Sequence, residues 1–512
     1  MRTLWRDDGF SPGTDRSSEP LAGRHYDHVV VGGGITGLTT ALLLAHAGRT
    51  VAIVEARHIG AGATGHTTGK VSLLQGTRLS SIDRRHNAAT VRDYVAANRA
   101  GQEWLQSYCV AHGLKMQERA AVTYAVTPAG RDEVIREHRV CEDAGLPVTR
   151  VDDDAGLPYS TLAAIRLKAQ QQLDPIAVLN AMTDELRSLG AELREGVRVR
   201  GLSYRPGRHT VHSSSGDLDA SSVVLATGSP VLDRGAYFAR LTANRSYAAA
   251  FTVAEPIPRD MYLSADDPTV SLRTAPRPGR PDETLLMVGG FGHGVGRTTS
   301  ERDHVERMLA WVASTFPTAQ PVARWSAQDY RSIDELPYVG RLLPGDDSVH
   351  VATGFAKWGL TNGVAAALAI AGALDGSPPP WAARFEPWRR SELSSVLPAV
   401  SANASVATHL LSGYLRLLLP ADMNPADDHG SVGRVGLSPA GVCRLNGDKT
   451  SVTPICTHLY GVLAWNDAEG SWDCPLHGSR FDRLGQVLEG PATEPLHVRR
   501  TEPPSDDAGT QV

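Results

Sequence analysis

Three things are scarce in this chain: charge of one sign, long apolar runs, and cysteine. Lysine and arginine number 51 against 56 aspartates and glutamates, leaving a net charge of -5. No basic field for nucleic acid results, and no basic patch is interleaved with aromatics. The longest apolar stretches, such as Val364 to Leu374 and Leu415 to Leu419, fall well short of the ~20 residues that a membrane helix needs. The first two dozen residues are polar and turn-rich, with neither the apolar core of a secretory signal nor a twin-arginine pair, so a cytoplasmic protein without a membrane span is expected. Five cysteines in a reducing compartment are more often ligands or buried thiols than bridges. What is present is a 512-residue chain, 41% hydrophobic and 21% charged. That length suits two or three domains whose cores need no disulfides.

The organising stretch runs from Asp27 to Arg57. A β-branched run, His28 to Val31, meets Gly32-x-Gly34-x-x-Gly37, followed by an apolar helical segment to His46 and a second strand, Thr50 to Val54, closing on Glu55. Gly32 permits a tight turn, Gly34 lets the backbone approach a pyrophosphate, and Gly37 lets the helix lie close to the strand. The free amides and dipole of the helix start favour phosphate. Glu55, 23 residues after Gly32, sits where a carboxylate accepts hydrogen bonds from an adenosine ribose and disfavours a 2′-phosphate. Strand, glycines, helix and acid together point to a dinucleotide.

Gly60 to Lys70, GAGATGHTTGK, is too rich in glycine and threonine for core and reads as a loop passing the cofactor. Helices are expected from about Ser80 to Tyr108 and Arg131 to Ala144, with Cys109 and Cys141 on them as structural thiols, and from Ile176 to Leu189. A strand pair follows around Ala191 to Leu202. Ser222 to Gly228 is a buried strand ending in small residues, which allows close backbone approach to the cofactor. Between Ser229 and Arg324 the pattern changes to strands and proline-rich turns, a separate sheet inserted into the nucleotide fold. Val349 to Gly354 and the helix Val364 to Leu374 resume that fold, a further helix lies near Val406 to Leu419, and Pro420 to Gly436 is a polar linker. The expected organisation is a tail over 1–24, the nucleotide fold over 25–375 with its insertion at about 229–324, linker and helix over 376–431, a small domain over 432–501, and a tail over 502–512.

VVVGGGITGL at Val29 to Leu38, LATG at Leu225 to Gly228, DELPYVG at Asp334 to Gly340 and VATGFAKWG at Val351 to Gly359 resemble the glycine oxidase, sarcosine oxidase and D-amino-acid oxidase family of FAD enzymes. The resemblance covers the first 375 residues. It implies an α/β fold, α+β overall: a Rossmann-like FAD-binding domain with an inserted mixed-sheet substrate domain. By the same resemblance Glu55 holds the adenosine ribose and the backbone near Val199 meets adenine. Thr67, Thr68, Gly69 and Lys70 line the flavin, and Ala226, Thr227 and Gly228 approach the cofactor. Gly354, Gly359 and Thr361 lie beside the flavin N1 and C2 carbonyl, where helix amides and Lys357 stabilise the anionic reduced ring. Relatives clamp a substrate carboxylate with Arg or Lys. Here Thr361 stands soon after Gly359 and no arginine lies between Gly60 and Lys70, leaving Arg273, Arg297, Arg324 and Arg331 as candidates. GGFGHGVGR, Gly289 to Arg297, lacks the full nucleotide spacing and reads as a turn of the inserted sheet, with His293 a candidate for facing the substrate. His66 is a conceivable covalent anchor for FAD, against the plainer reading of a loop histidine.

Near the end stand Cys456-x-His458 and Cys474-x-x-His477, 15 residues apart. Two loops each offering one thiolate and one imidazole can hold two irons, one by both cysteines and one by both histidines, which is Rieske [2Fe-2S] ligation. A structural zinc site competes, but zinc fingers pair Cys with Cys and His with His, whereas each loop here is mixed. The segment from about Val432 to Arg500 resembles the Rieske domain, a small antiparallel β-structure. Respiratory Rieske proteins carry a disulfide between the loops where this chain has Gly461 and Leu476, and a tyrosine where it has Phe481. Ser479 remains as a donor. Fewer hydrogen bonds to sulfur place the potential toward the low part of the Rieske span, roughly −150 to +300 mV. Cys443 lies outside both loops and reads as core.

The first functional expectation is a FAD-dependent dehydrogenase or oxidase of a small substrate, an amine or amino acid, passing electrons from flavin to cluster and on to an external redox partner. A second runs the other way: NAD(P)H reduces the flavin, which feeds the attached Rieske domain. That reading needs a second glycine fingerprint in the middle third, which is missing. An oxygenase needs a 2-His-1-carboxylate iron site, and no compact candidate stands outside the cluster loops. A non-catalytic redox module completes the set.

Overall fold

The computed structural model describes residues 1–5, 23–152, 155–389, 406 and 408–499. Residues 6–22 of the expected 1–24 tail, the whole of the expected 502–512 tail, and residues 390–405 of the expected linker lie outside the described residues. The chain forms two compact units. One comprises Met1–Gly294 and Asp303–Ala402, the other Val295–Arg302 and Asn403–Val512.

The first unit contains a sheet whose parallel core has the order Val349–Thr353, Leu218–Gly228, His25–Val31, Val51–Val54, Glu192–Arg194. Valine-rich runs buried on both faces make such strands, and all four residues of Val51–Val54 are buried. Strand order reverses beside His25–Val31, and ligands of open parallel sheets bind outside the carboxyl ends at such a point. Tyr338–Arg341 adds an antiparallel edge. The two strands expected as a pair after Gly190 do not pair with each other. Glu192–Arg194 joins the parallel sheet, while Val199–Arg205 forms a hairpin with Arg208–Ser213. The chain between them is tied elsewhere, with Gly196 and Val197 donating to the carbonyls of Arg57 and Glu55.

A second, nine-stranded sheet runs Gln320–Ser332, Leu241–Thr252, Arg280–Gly294, Val270–Arg277, Met261–Ser264, Met116–Ala125, Ala163–Leu173, Lys70–Val71, with Thr149–Arg150 beside Ala163–Leu173. It therefore draws four strands from residues 70–173, well before the stretch whose pattern announces a sheet. MQERAAVTYA is polar for its first half, and only its pairing with Ala163–Leu173 and Met261–Ser264 makes it a central strand. The helix Gly359–Leu374 starts five residues ahead of the expected Val364. Gly363, which argues against helix in isolation, is required where a Cβ would stand 2.5 Å from Thr36 Oγ1.

The second unit has two small antiparallel sheets. Gly430–Val435, Ser438–Leu445 and Asp448–Val452 form one, and Ala464–Asn466, Ser471–Asp473, Arg480–Asp482 and Val487–Glu489 the other. Trp472, Phe481, Leu463, Val452 and the thiols of Cys443, Cys456 and Cys474 share its core. Residues 408–416 are helical. No helix among the described residues is long and apolar enough to cross a membrane.

Candidate cofactor and metal sites

At the carboxyl end of His25–Val31 the chain turns through Gly32 (φ +114°) into the helix Ile35–His46. A Cβ on Gly32 would stand 2.5 Å from the Ala226 carbonyl oxygen, so the turn and the end of Leu218–Gly228 are in backbone contact. Gly34 is the N-cap and has no side chain to bond the first turn, while the Ile35 amide donates to Thr64 Oγ1 at 3.2 Å. The other first-turn amides and the dipole are directed at whatever lies beyond, as pyrophosphate binding requires. Glu55 accepts from the Gly33 and Arg57 amides, each at 2.8 Å. Burial raises its carboxyl pKa, and those two bonds oppose the rise. Val199 is buried two residues beyond Val197, the donor to Glu55. Thr227 and Gly228 (φ +78°) end one parallel strand and Gly354 (φ +81°) follows its neighbour, and Thr353 Oγ1 donates to the Gly228 carbonyl. Gly32, Gly34, Gly37, Glu55, Ala226–Gly228 and Gly354 therefore come together at one end of the sheet, and the residues fit a dinucleotide.

The Gly65–Lys70 loop leads from this end into the nine-stranded sheet. Thr67 Oγ1 accepts from the Gly69 amide at 3.3 Å. The Lys70 side chain goes to the large sheet, donating to the Tyr262 carbonyl (2.6 Å) and Ser271 Oγ (2.7 Å). Burial, with Arg273 nearby, pushes its pKa down to about 7. Thr361, in the first turn of Gly359–Leu374, accepts from Gln75 at 3.2 Å. His66 Nδ1 lies 2.9 Å from the Gly62 carbonyl.

Lys357 (φ +75°) is exposed, on a left-handed turn with Ala356 (φ +47°). Its ammonium lies 3.6 Å from where a Cβ on Gly292 would stand, which brings it to the residue beside His293. Asp329 is close enough to feel it: burial raises the Asp329 carboxyl, and Lys357, Arg331 and Arg78 oppose the rise. His293 Nδ1 is 2.9 Å from the Gly294 carbonyl and Nε2 is 3.0 Å from Tyr247 Oη. A carbonyl can only accept, so Nδ1 carries a proton, and in the neutral ring Nε2 accepts from the Tyr247 hydroxyl. Neither Asp329 nor Tyr247 was visible as a site residue in the sequence, since no local motif contains them and strand pairing alone delivers them. Of the four arginines considered for a substrate carboxylate, Arg273 is buried on backbone carbonyls and Arg331 pairs with Glu335 at 2.7 Å. Arg324 is exposed, and Arg297 belongs to the other unit.

In that second unit the two cysteine-histidine loops close in the same way. The Cys456 amide donates to Gly461 O (2.8 Å) and the Tyr460 amide to Cys456 O (3.1 Å), while the Cys474 amide donates to Ser479 O (2.8 Å) and the Gly478 amide to Cys474 O (3.1 Å). The fifth residue of each loop is left-handed, Tyr460 at φ +55° and Gly478 at φ +81°. Both thiols are buried, and the His458 and His477 rings stand 5.3 Å apart at 85°. A hydrogen bond from Cys474, then the His458 amide, the Ser479 hydroxyl and the Leu459 amide, pull the Cys456 thiol below its ordinary range against burial. The hydrogen bond to Cys456 and burial push the Cys474 thiol up, opposed by the amides of Leu476 and His477 that reach its sulfur. Donors converging on two adjacent sulfurs are what a pair of cluster thiolates needs. Among the described residues no three His, Cys, Asp or Glu side chains converge on one ion. Two irons with two protein ligands each do not require it. A Cβ on Gly461 would meet Leu476 Cδ1 at 2.6 Å, so the two positions that are cysteines in respiratory proteins face each other here with leucine filling the space.

The residues 295–302 pack against the second of these loops. Arg297 donates to the carbonyls of Pro475 (2.7 Å) and Leu476 (3.2 Å). Its role is to hold this loop, which replaces the sequence-based candidacy as a substrate clamp. Glu301 is 2% exposed. Burial and then the Asp473 charge push its carboxyl up to about 8. A folded-state value above the ordinary 4.5 means the folded acid keeps its proton while the unfolded one ionises, so stability falls as pH rises from about 4.5 to about 8 and is level above that. Glu301→Gln should remove this slope, worth at most about 4 to 5 kcal/mol. Melting curves of the variant and parent across that range check it.

The chain belongs to the DAO family of FAD dependent oxidoreductases, whose model matches residues 27–373, and it carries a Rieske [2Fe-2S] domain over residues 420–500. It is an enzyme with FAD and an iron-sulfur cluster as cofactors. Among its relatives, YhfW of Bacillus subtilis (strain 168), named as a Rieske 2Fe-2S iron-sulfur protein, is 30% identical over 479 residues, 92% of each chain. The cytochrome b6-f complex iron-sulfur subunit 2 of the Cyanophora paradoxa cyanelle is 49% identical over 45 residues, 9% of this chain and 19% of that one. Two solved structures share the fold of the first unit. Glycine oxidase from Geobacillus kaustophilus has a TM-score of 0.61 at 19% identity, covering 72% of this chain and 99% of that one. L-proline dehydrogenase from P. horikoshii has 0.59 at 18%, covering 72% and 98%.

Proposed function

We propose that this enzyme oxidises a small amine or amino acid and that the electron pair, taken up by FAD, leaves singly through the Rieske cluster to an external acceptor. When bound, FAD supplies a two-electron acceptor and the cluster a one-electron carrier. The glycine turn, Glu55 and the ends of the parallel strands would hold the dinucleotide. Cys456 with Cys474 would take one iron, and His458 with His477 the other. Lys357 supplies a fixed positive charge beside Gly292, suited to a substrate carboxylate or to negative charge developing nearby. In its neutral form the His293 ring keeps its proton at Nδ1, toward the Gly294 carbonyl, and turns Nε2 to the Tyr247 hydroxyl.

The observation that carries this reading is the presence in one chain of an amino-acid-oxidase fold and a complete set of cluster ligands. Glycine oxidase, L-proline dehydrogenase and an L-amino acid deaminase share the fold of the first unit, which supports amine chemistry. Anaerobic protein mixed with a panel of amines and amino acids, and separately with NADH, tests it. Bleaching of the flavin by an amine, followed by the reduced-cluster EPR signal, is expected. Fast bleaching by NADH with none by any amine would refute it. Lys357→Met should slow substrate-dependent bleaching by roughly 10²-fold, with FAD content retained.

A further inference from the structure

The last two residues of the short helix Ala63–His66 and the two that follow it present four successive carbonyl oxygens, and each accepts from a different side chain. Gly65 O takes the Thr3 hydroxyl (3.2 Å), His66 O the Trp325 indole (2.8 Å), Thr67 O the Trp5 indole (2.7 Å), and Thr68 O the Arg273 guanidinium. Two of these donors lie within the first five residues of the chain, which the sequence marks only as polar tail. Thr3, Leu4 and Trp5 are buried. The Arg2 amide donates to Arg324 O at 2.7 Å, and the Arg273 guanidinium lies 5.5 Å from the Trp5 ring centroid, within cation–π range. Peptide units are planar, so bonding a carbonyl fixes the amide on the other side of the same plane. Four consecutive planes are fixed in this way. Gly69 closes the loop at φ +76°, with a Cβ there placed 2.3 Å from Leu173 O.

We propose that Thr3 and Trp5 are positioning residues of the flavin site, a strap that acts through the loop Gly65–Gly69 to set how tightly FAD is held. The inference rests on the reading that this loop lines the flavin, and the experiment separates the two. Trp5→Phe keeps an aromatic ring and removes the indole donor. Thr3→Val keeps the shape and removes the hydroxyl. Gly69→Ala distorts the loop directly. FAD release from each full-length protein is followed by recovery of flavin fluorescence after dilution, well below the melting temperature, alongside the bound-flavin absorption spectrum and the cluster EPR signal.

Trp5→Phe and Thr3→Val should each speed release by about tenfold, the loss of one hydrogen bond, and shift the flavin bands while the EPR signal stays unchanged. Faster release in Gly69→Ala alone overturns the strap and leaves the loop reading standing. Unchanged release in all three removes both. A lower melting temperature with unaltered release and spectrum in the Trp5 and Thr3 variants shows a purely structural segment and overturns the proposal.

Discussion

Gly37→Val should yield protein that leaves the column without FAD. A Cβ at this position would stand 2.0 Å from the Gly32 carbonyl oxygen, a backbone atom held in the turn that faces the pyrophosphate. No side-chain rotation relieves that clash, so the helix Ile35–His46 has to move away from the strand His25–Val31. Overpacking of this kind costs about 1–3 kcal/mol or more, and here the strain falls on the amides meant for the phosphates. Loss of two such contacts corresponds to roughly 10²-fold in affinity. FAD per chain after gel filtration measures the effect, and iron per chain should be unaffected. A variant with full FAD would show that the glycine turn is not the cofactor site.

Cys474→Ser should do the converse, removing iron and acid-labile sulfide while FAD remains. A serine hydroxyl is a harder ligand and stays protonated at neutral pH, so it cannot replace the thiolate. The amides of Leu476 and His477 that reach this sulfur would then face a neutral oxygen. Because the thiols are part of the unit's core and binding free energy is also folding free energy, the melting transition of the second unit should fall with the metal. Metal analysis with sulfide determination checks the parent protein first. Zinc in place of iron there would end the Rieske assignment.

Both predictions rest on features legible in the sequence, and the reason is locality. Gly32-x-Gly34-x-x-Gly37 lies within one turn, and each cluster loop spans six residues, so spacing alone reports the geometry. DELPYVG was legible as a motif but not in its role. Asp334 takes a bidentate pair of hydrogen bonds from Arg389, both at 2.7 Å, and Glu335 is held by Arg78 and Arg331, so its two acids are structural ion pairs. What spacing could not report comes from strands distant in sequence. Tyr247 meets His293 because Leu241–Thr252 pairs with Arg280–Gly294, and that pairing shifts register between Arg245 and Tyr247. The strands over residues 70–173 entered the large sheet unseen because their polar halves gain partners only on pairing. Trp5 was hidden in a stretch whose composition is that of a tail.

The eight residues 295–302 have a further consequence. A gene fragment beginning at Asn403 would encode every iron ligand yet omit Arg297 and Glu301, leaving two loop carbonyls without their guanidinium and a buried face open to water. The redox module is therefore no cartridge to be clipped off at a single junction.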